Sequence, residues 1–210
     1  MSDTETTLAC AEANQQLLVA ELAQLKIRLG AEGDASVAQL AIEQAQAAMP
    51  SVSALDHLAK LFGLSPFERN LLLLCAGVEM DTNLAELCAL IPPARRACAS
   101  LGLALTVLDD AHWSALAPVR PLRRWRLIEV DESVGLTQGR LRIDERVLHY
   151  LAGVNYLDTR LQAQLRVQAA PLMLAQSHHR LCETLLTALK QNHDQGPLVL
   201  LLGDDSSGQL

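Results

Sequence analysis

The first thirty residues of the chain place apolar side chains in alternating steps of three and four positions. This spacing predicts one long α-helix over residues 4–29 with a coiled-coil-type seam, which Gly30 ends. Two interpretations of the seam stay open: an arm that docks a partner or a sister subunit, or a stripe that packs on its own domain. The seam consists of Leu8, Ala11, Gln15, Leu18, Leu22, Leu25 and Leu29.

Capping residues and prolines divide the next part of the chain into shorter helices. Pro50 stops a helix predicted over residues 36–49, and Ser53 is predicted to cap the next one. The strongest start is Ser65-Pro66-Phe67-Glu68, which combines an N-cap, a proline at the first helical position and a glutamate at the third. It leads into NLLLLCAGVEM, which is apolar nearly all round and is therefore expected in the core. Further short helices are predicted from Asn83 to before Pro92, over 101–108 and over 111–117.

The pattern changes after Pro121. WRLIEV (residues 125–130) predicts a strand, and TQGRLRI (137–143) predicts a second strand because its apolar positions alternate. Asp144 is expected to cap the helix ERVLHYLAG. Small helices followed by a β-ribbon and a closing helix indicate a winged-helix arrangement. Helices return over residues 156–170 and 174–192.

The end of the sequence has the frame of a phosphate-binding loop. Gly203 and Gly208 have the G-x-x-x-x-G spacing directly after an apolar run, 198–202, which is typical of a central parallel strand. Gln209 takes the place of the phosphate-binding lysine, and Leu210 that of the magnesium-binding serine or threonine. A polar turn after a strand is the alternative. We predict a degenerate loop whose weak phosphate contacts are Gly203, Ser206, Ser207 and Gly208.

These patterns predict a mainly α-helical chain with a small β-ribbon. The predicted divisions are an N-terminal helical or coiled-coil arm (1–50), a winged-helix-like domain (51–155) and a helical linker (156–196). Residues 197–210 are predicted to be the first strand and loop of an α/β module whose remainder lies beyond Leu210.

Composition narrows the classes of function. The net charge of −7 argues against a general nucleic-acid binder, since phosphate neutralisation needs a cationic surface. Five cysteines without a C-x-x-C pair, and no signal or membrane-length apolar run, predict a reduced, cytoplasmic protein with no membrane span. His178 and His179 are adjacent and point about 100° apart on a helix, so they cannot share a metal ion. We predict no metal site and no catalytic group.

Arginines along the ribbon are the candidate contacts to a partner or to phosphate. About seven positive side chains there alternate with five carboxylates. The helices before the ribbon, LGLALTVLDDAHWSALA, offer no Arg, Lys, Asn or Gln to read base edges. A salt-bridged or protein-docking wing is therefore favoured over DNA recognition. The candidate residues are Arg123, Arg124, Arg126, Arg140 and Arg142.

Two stretches carry a resemblance to a known family. LAKLFGLSPFERNLLLLCAGVEMD (58–81) and HWSALAPVRPLRRWRLIEV (112–130) resemble the N-terminal region of AAA-family ATPases encoded with phage-tail-like contractile injection systems. The resemblance covers roughly residues 52–210. In that family a winged-helix-type region precedes a first ATPase module, often with a degenerate phosphate loop, and an intact module follows.

The resemblance implies a hexameric parent ATPase that uses ATP and Mg²⁺ in later modules, with no cofactor in this fragment. The implied partners are a protein component of the injection particle or sister ATPase subunits, and we expect no nucleic-acid partner. The alternative is a winged-helix protein that binds nucleic acid, or a stand-alone adaptor.

Overall fold

The computed structural model describes residues 3–92, 96–161, 165 and 176–191. The chain forms two compact units, residues 1–156 and 157–210. Both strands and all but one of the helices described below belong to the first unit. None of the helices in the described ranges is both long enough and apolar enough to cross a membrane.

The first unit begins with two helices, α1 (Asp3–Arg28) and α2 (Ala35–Ala48), which pack against each other. The Asp34 carboxylate accepts a hydrogen bond from the Ser36 N–H and so starts α2. The α1 seam packs on its own unit, because Leu18, Leu22, Leu25 and Leu29 join the central core.

Three helices follow: α3 (Ala54–Phe62), α4 (Pro66–Met80) and α5 (Thr82–Leu90). The predicted capping box at Ser65 and Glu68 is confirmed, with both of its hydrogen bonds formed. The central part of α4 is buried, as its apolar run predicted. The predicted start of α5 at Asn83 is wrong: Asp81 is the N-cap, and its carboxylate accepts hydrogen bonds from the N–H groups of Asn83 and Leu84.

The helix predicted over residues 111–117 is a short 3₁₀ turn, Trp113–Leu116. It follows α6 (Leu101–Val107) and precedes α7 (Pro121–Arg124). The predicted strands are shorter than expected, with β1 at Ile128–Val130 and β2 at Leu141–Ile143. Arg126 explains the late start of β1, because its φ of 52° lies in the left-handed region and cannot continue a strand.

The two strands form an antiparallel ribbon in which Ile128 lies opposite Ile143 and Val130 opposite Leu141. An isolated antiparallel β-bridge also pairs Ser100, just before α6, with Arg140, just before β2. The connection between the strands, residues 131–140, is the wing. α8 (Glu145–Leu151) closes the unit and starts at the predicted cap, Asp144. Helices around a small antiparallel sheet give the predicted mainly α fold with a winged-helix arrangement.

The second unit contains α9 (Gln176–Gln191) within the residues described. The helix predicted over 156–170 is wrong at its start, because residues 156–161 are irregular or turn. The phosphate-loop prediction, with Gly203, Ser206, Ser207 and Gly208, lies outside the described residues, as does the preceding apolar run 198–202.

Candidate functional site

The segment immediately before the ribbon, residues 112–126, is fixed to the start of α4 and is called here the pre-ribbon segment. The Arg120 guanidinium donates to both carboxylate oxygens of Glu68, at 2.9 and 2.8 Å. Glu68 is 0 % exposed, whereas Arg120 keeps 37 % of its side-chain surface in water. Glu68 also accepts a hydrogen bond from the Ser65 N–H at 2.8 Å. One buried carboxylate therefore caps α4 and holds the pre-ribbon segment against it.

His112 fixes the beginning of the same segment. Its Nε2 lies 2.9 Å from the Ser65 hydroxyl, and its Nδ1 lies 3.0 Å from that of Ser114. The imidazole also packs on Phe67, with ring centroids 5.1 Å apart. Both ring nitrogens are engaged in the protein's own hydrogen bonds, so His112 acts as a structural link.

Two of the five predicted arginines are paired with carboxylates. Arg123 donates to Glu132 in the wing at 2.7 Å, and Arg140 donates to Glu79 on α4 at 2.9 Å. These pairs connect the pre-ribbon segment to the wing and the wing to the helical core. Both arginines therefore have a structural role, and their charges are balanced.

The other three predicted arginines are exposed and have no ion pair among the residues that the structure describes: Arg124, Arg126 and Arg142. Arg124 and Arg126 lie on the pre-ribbon segment, where the Arg124 guanidinium sits 5.3 Å from the centre of the Trp125 ring. Arg142 lies on β2 opposite Glu129. Arg123, Arg124 and Arg126 thus lie together on the pre-ribbon segment. Arg140 and Arg142 lie further along the chain, at the end of the wing and on β2.

Large exposed apolar residues of the pre-ribbon segment were missed by the sequence reasoning. Trp113 is 60 % exposed, Val119 is 78 % exposed and Trp125 is 51 % exposed. Trp125 also contacts Phe62 at the end of α3, with ring centroids 5.7 Å apart. The signal was present in the sequence as tryptophan and valine interleaved with arginine, without any acidic residue from 111 to 128.

A second polar cluster joins α1, α3 and α4, and in it Glu21 is buried whereas Asp56 is partly exposed. Arg69 donates to Glu21 and to Asp56, at 2.6 Å in both cases. Burial raises the pKa of the Glu21 carboxyl, and the nearby Arg69 offsets this only in part. Burial also disfavours the charged form of Arg69, but its two carboxylate partners outweigh burial and raise its pKa. The cluster binds three helices together, and sequence alone gives no sign of it.

A cleft of about 460 Å³ lies between α1, the α2–α3 connection and α8. His57 and Tyr150 meet on its wall, with the His57 Nδ1 2.7 Å from the Tyr150 hydroxyl. Asn14, which is 8 % exposed, donates to the Leu151 carbonyl at 2.9 Å and accepts from the Ala54 N–H at 2.8 Å. Cys10 and Ser51 form a second side-chain contact there, at 3.3 Å, and the described lining contains no carboxylate, lysine or arginine.

Groups suited to metal chemistry do not come together within the described part of the chain: no three His, Cys, Asp or Glu side chains there are placed to hold an ion. Burial raises the pKa of the Cys75 thiol and raises that of Cys88 to about 11. These two thiols are therefore protonated and poorly nucleophilic near neutral pH.

The family model described as "Winged helix domain, variant" matches residues 2–165, a range that includes α1 to α8 and both strands. No curated protein and no solved structure matches the chain.

Proposed function

The chain belongs to the winged helix domain family, in its variant form, and from this premise we propose that it is the partner-binding N-terminal segment of an AAA-type ATPase associated with a contractile injection system. In this proposal it recruits a protein or guides assembly of the ATPase ring, while later modules of the parent hydrolyse ATP. Its partner is a protein component of the injection particle or a sister subunit.

The pairing of two of the five candidate arginines with carboxylates, on a chain of negative net charge, is the observation that carries the proposal. Winged-helix domains bind nucleic acid or protein, and nucleic-acid binding depends on cations that are free to neutralise phosphates. Arg123 and Arg140 are instead bound to Glu132 and Glu79. The chain as a whole carries a net charge of −7, which repels a polyanion. A protein partner fits this surface better than a nucleic acid does.

The ATPase parent is supported by the two resembling stretches, which contain the second half of α3, all of α4, the pre-ribbon segment and β1. The ion pair between Glu68 and Arg120 joins the two stretches, because it connects α4 to the pre-ribbon segment. The glycine spacing at Gly203 and Gly208 supports a following nucleotide-binding module, although Gln209 replaces the lysine needed for phosphate binding. ATP and Mg²⁺ are accordingly assigned to the later modules of a hexameric parent.

Site-specific photo-crosslinking in the native source tests the binding class. A photoreactive residue at Gln138, exposed in the wing, is expected to crosslink to protein, and mass spectrometry identifies the partner. The matched control is Gln46, exposed on α2. Crosslinks from Gln138 to nucleic acid, together with DNA binding that falls steeply with salt, would favour the nucleic-acid alternative and contradict the proposal.

The intact mass of the native protein tests the ATPase parent. A species much heavier than the 22.8 kDa of this chain, with a later peptide that reads G-x-x-x-x-G-K-S/T, is the expected result. A native species that stops at Leu210 would overturn the ATPase assignment and leave a stand-alone adaptor.

A further inference from the structure

We propose that the pre-ribbon segment is the docking site for an acidic protein segment that carries a large apolar anchor residue. The inference rests on the proposed function, because it names the chemistry of the protein that the winged-helix domain binds.

Exposed apolar surface is the first argument. Trp113, Val119 and Trp125 are each at least half exposed, and all lie within fourteen residues of one another in sequence. Tryptophan and arginine are the residues most enriched among those that dominate binding energy in protein interfaces. A partner that covers these side chains removes large apolar areas from water.

Charge complementarity indicates that the partner segment is negatively charged. The segment contains four arginines, Arg120, Arg123, Arg124 and Arg126, and no Asp or Glu. Glu68 and Glu132 neutralise the first two, while Arg124 and Arg126 have no ion pair in the described ranges. A locally positive surface on a chain of net charge −7 attracts acidic groups and repels basic ones.

The surroundings of Trp125 favour a protein over a single-stranded nucleic acid. Base stacking requires an open face of the aromatic ring. The Arg124 guanidinium already lies over the Trp125 ring, and Phe62 contacts it at an interplanar angle of 45°. An aliphatic or aromatic side chain can still pack along the exposed part of the ring while a neighbouring carboxylate reaches Arg124.

The segment is also held in place before any partner arrives. Arg120 binds Glu68, His112 contacts Ser65, and Arg123 binds Glu132. A surface fixed in this way loses less conformational entropy on binding, and more of the contact energy therefore appears as affinity.

Selection from a random twelve-residue peptide library, displayed on phage against the full 210-residue chain, tests the proposal. Selected peptides are expected to be rich in Asp and Glu and to share a Leu, Phe or Trp. The double variant Arg124→Glu/Arg126→Glu should weaken their binding at least about tenfold, because it converts attraction into repulsion. The matched control, Arg142→Glu, reverses an exposed charge on β2 and should change binding less than about twofold.

Intrinsic fluorescence locates the bound peptide. The chain contains two tryptophans, Trp113 and Trp125, and both are in the pre-ribbon segment. Their emission should shift to shorter wavelength as a peptide covers them, and Trp125→Phe should remove part of this shift. Circular dichroism of each variant verifies that the fold is retained.

The opposite outcomes are equally defined. The inference would be overturned if the selected peptides were basic or neutral. It would also be overturned if Arg142→Glu weakened peptide binding as much as the double variant does, or if the tryptophan emission did not shift. Tighter binding of a twelve-nucleotide oligo-dT than of any selected peptide would also overturn it, in favour of nucleic acid. If Gln138 still crosslinks to a protein partner in these cases, the proposed function survives and only this docking site is refuted.

Discussion

Replacing Arg120 with methionine should cost more stability than replacing its partner Glu68 with glutamine. Arg120→Met leaves a carboxylate that is 0 % exposed without its cation, and breaking a buried pair in this way costs about 3–5 kcal/mol. Glu68→Gln leaves a guanidinium that is 37 % exposed and can turn towards water. Glutamine also serves at the third helical position of a capping box. We therefore expect Glu68→Gln to cost about 1–2 kcal/mol.

Urea unfolding followed by circular dichroism measures the two free energies. Each kcal/mol corresponds to about 2–4 °C in a domain of this size, so Arg120→Met should lower the Tm by roughly 6–20 °C. In the double variant, Arg120→Met should add little to the cost of Glu68→Gln, because no buried charge remains unpaired. Arg142→Met, at an exposed site, should stay within about 0.5 kcal/mol.

The reasoning would be refuted if Arg120→Met cost no more than Glu68→Gln. That result would mean that the Glu68 carboxylate does not depend on Arg120 for its stability in the core. Additive costs in the double variant would lead to the same conclusion.

Three further perturbations give defined results. Gly139→Ala should lower the free energy of unfolding in urea by about 1–3 kcal/mol, since the new Cβ would lie 2.1 Å from the Asp131 carbonyl oxygen in the wing. An unchanged free energy of unfolding would contradict this close approach. Burial raises the pKa of Glu21 above 4.5, so its titration stabilises the fold most below that pH and this contribution is lost as pH rises through the raised pKa. The free energy of unfolding of Glu21→Gln minus that of the wild type should therefore increase as the pH rises from about 4 to 7. A decrease over this range would refute the assignment. Exposed Cys182 should react with a thiol reagent at pH 8 in the folded protein, whereas Cys88, with its pKa raised to about 11, should react only after unfolding.

Local signals in the sequence predicted local structure well. Ser65 and Glu68 are three residues apart, and their capping box depends on no other part of the chain, so the start of α4 could be located. Asp81 was overlooked as a cap because Asn83 and Glu86 offered a similar pattern two residues later. The β1 strand was overextended because nothing in WRLIEV indicates that Arg126 adopts a left-handed conformation.

Long-range pairing could not be predicted in the same way. Arg69 and Glu21 are 48 positions apart, and Arg120 and Glu68 are 52 apart. Periodicity shows which face of a helix is apolar, but it does not show what covers that face. For this reason the α1 leucines were equally consistent with an arm and with a core stripe, and only their packing beside α4 shows the second. Deleting residues 1–50 would thus remove part of a core.

Asn14 also constrains the order in which the first unit can fold. Its side-chain amide has one partner at Ala54 and another at Leu151, which is 137 residues away along the chain. During synthesis α1 emerges first, yet this buried amide has no carbonyl to bind until α8 has left the ribosome. Such a distant contact adds loop-closure entropy to the folding barrier and raises the contact order of the unit. A nascent chain that stalls before residue 151 would therefore keep the Asn14 amide without its carbonyl acceptor, although the α1 leucines could already pack beside α4.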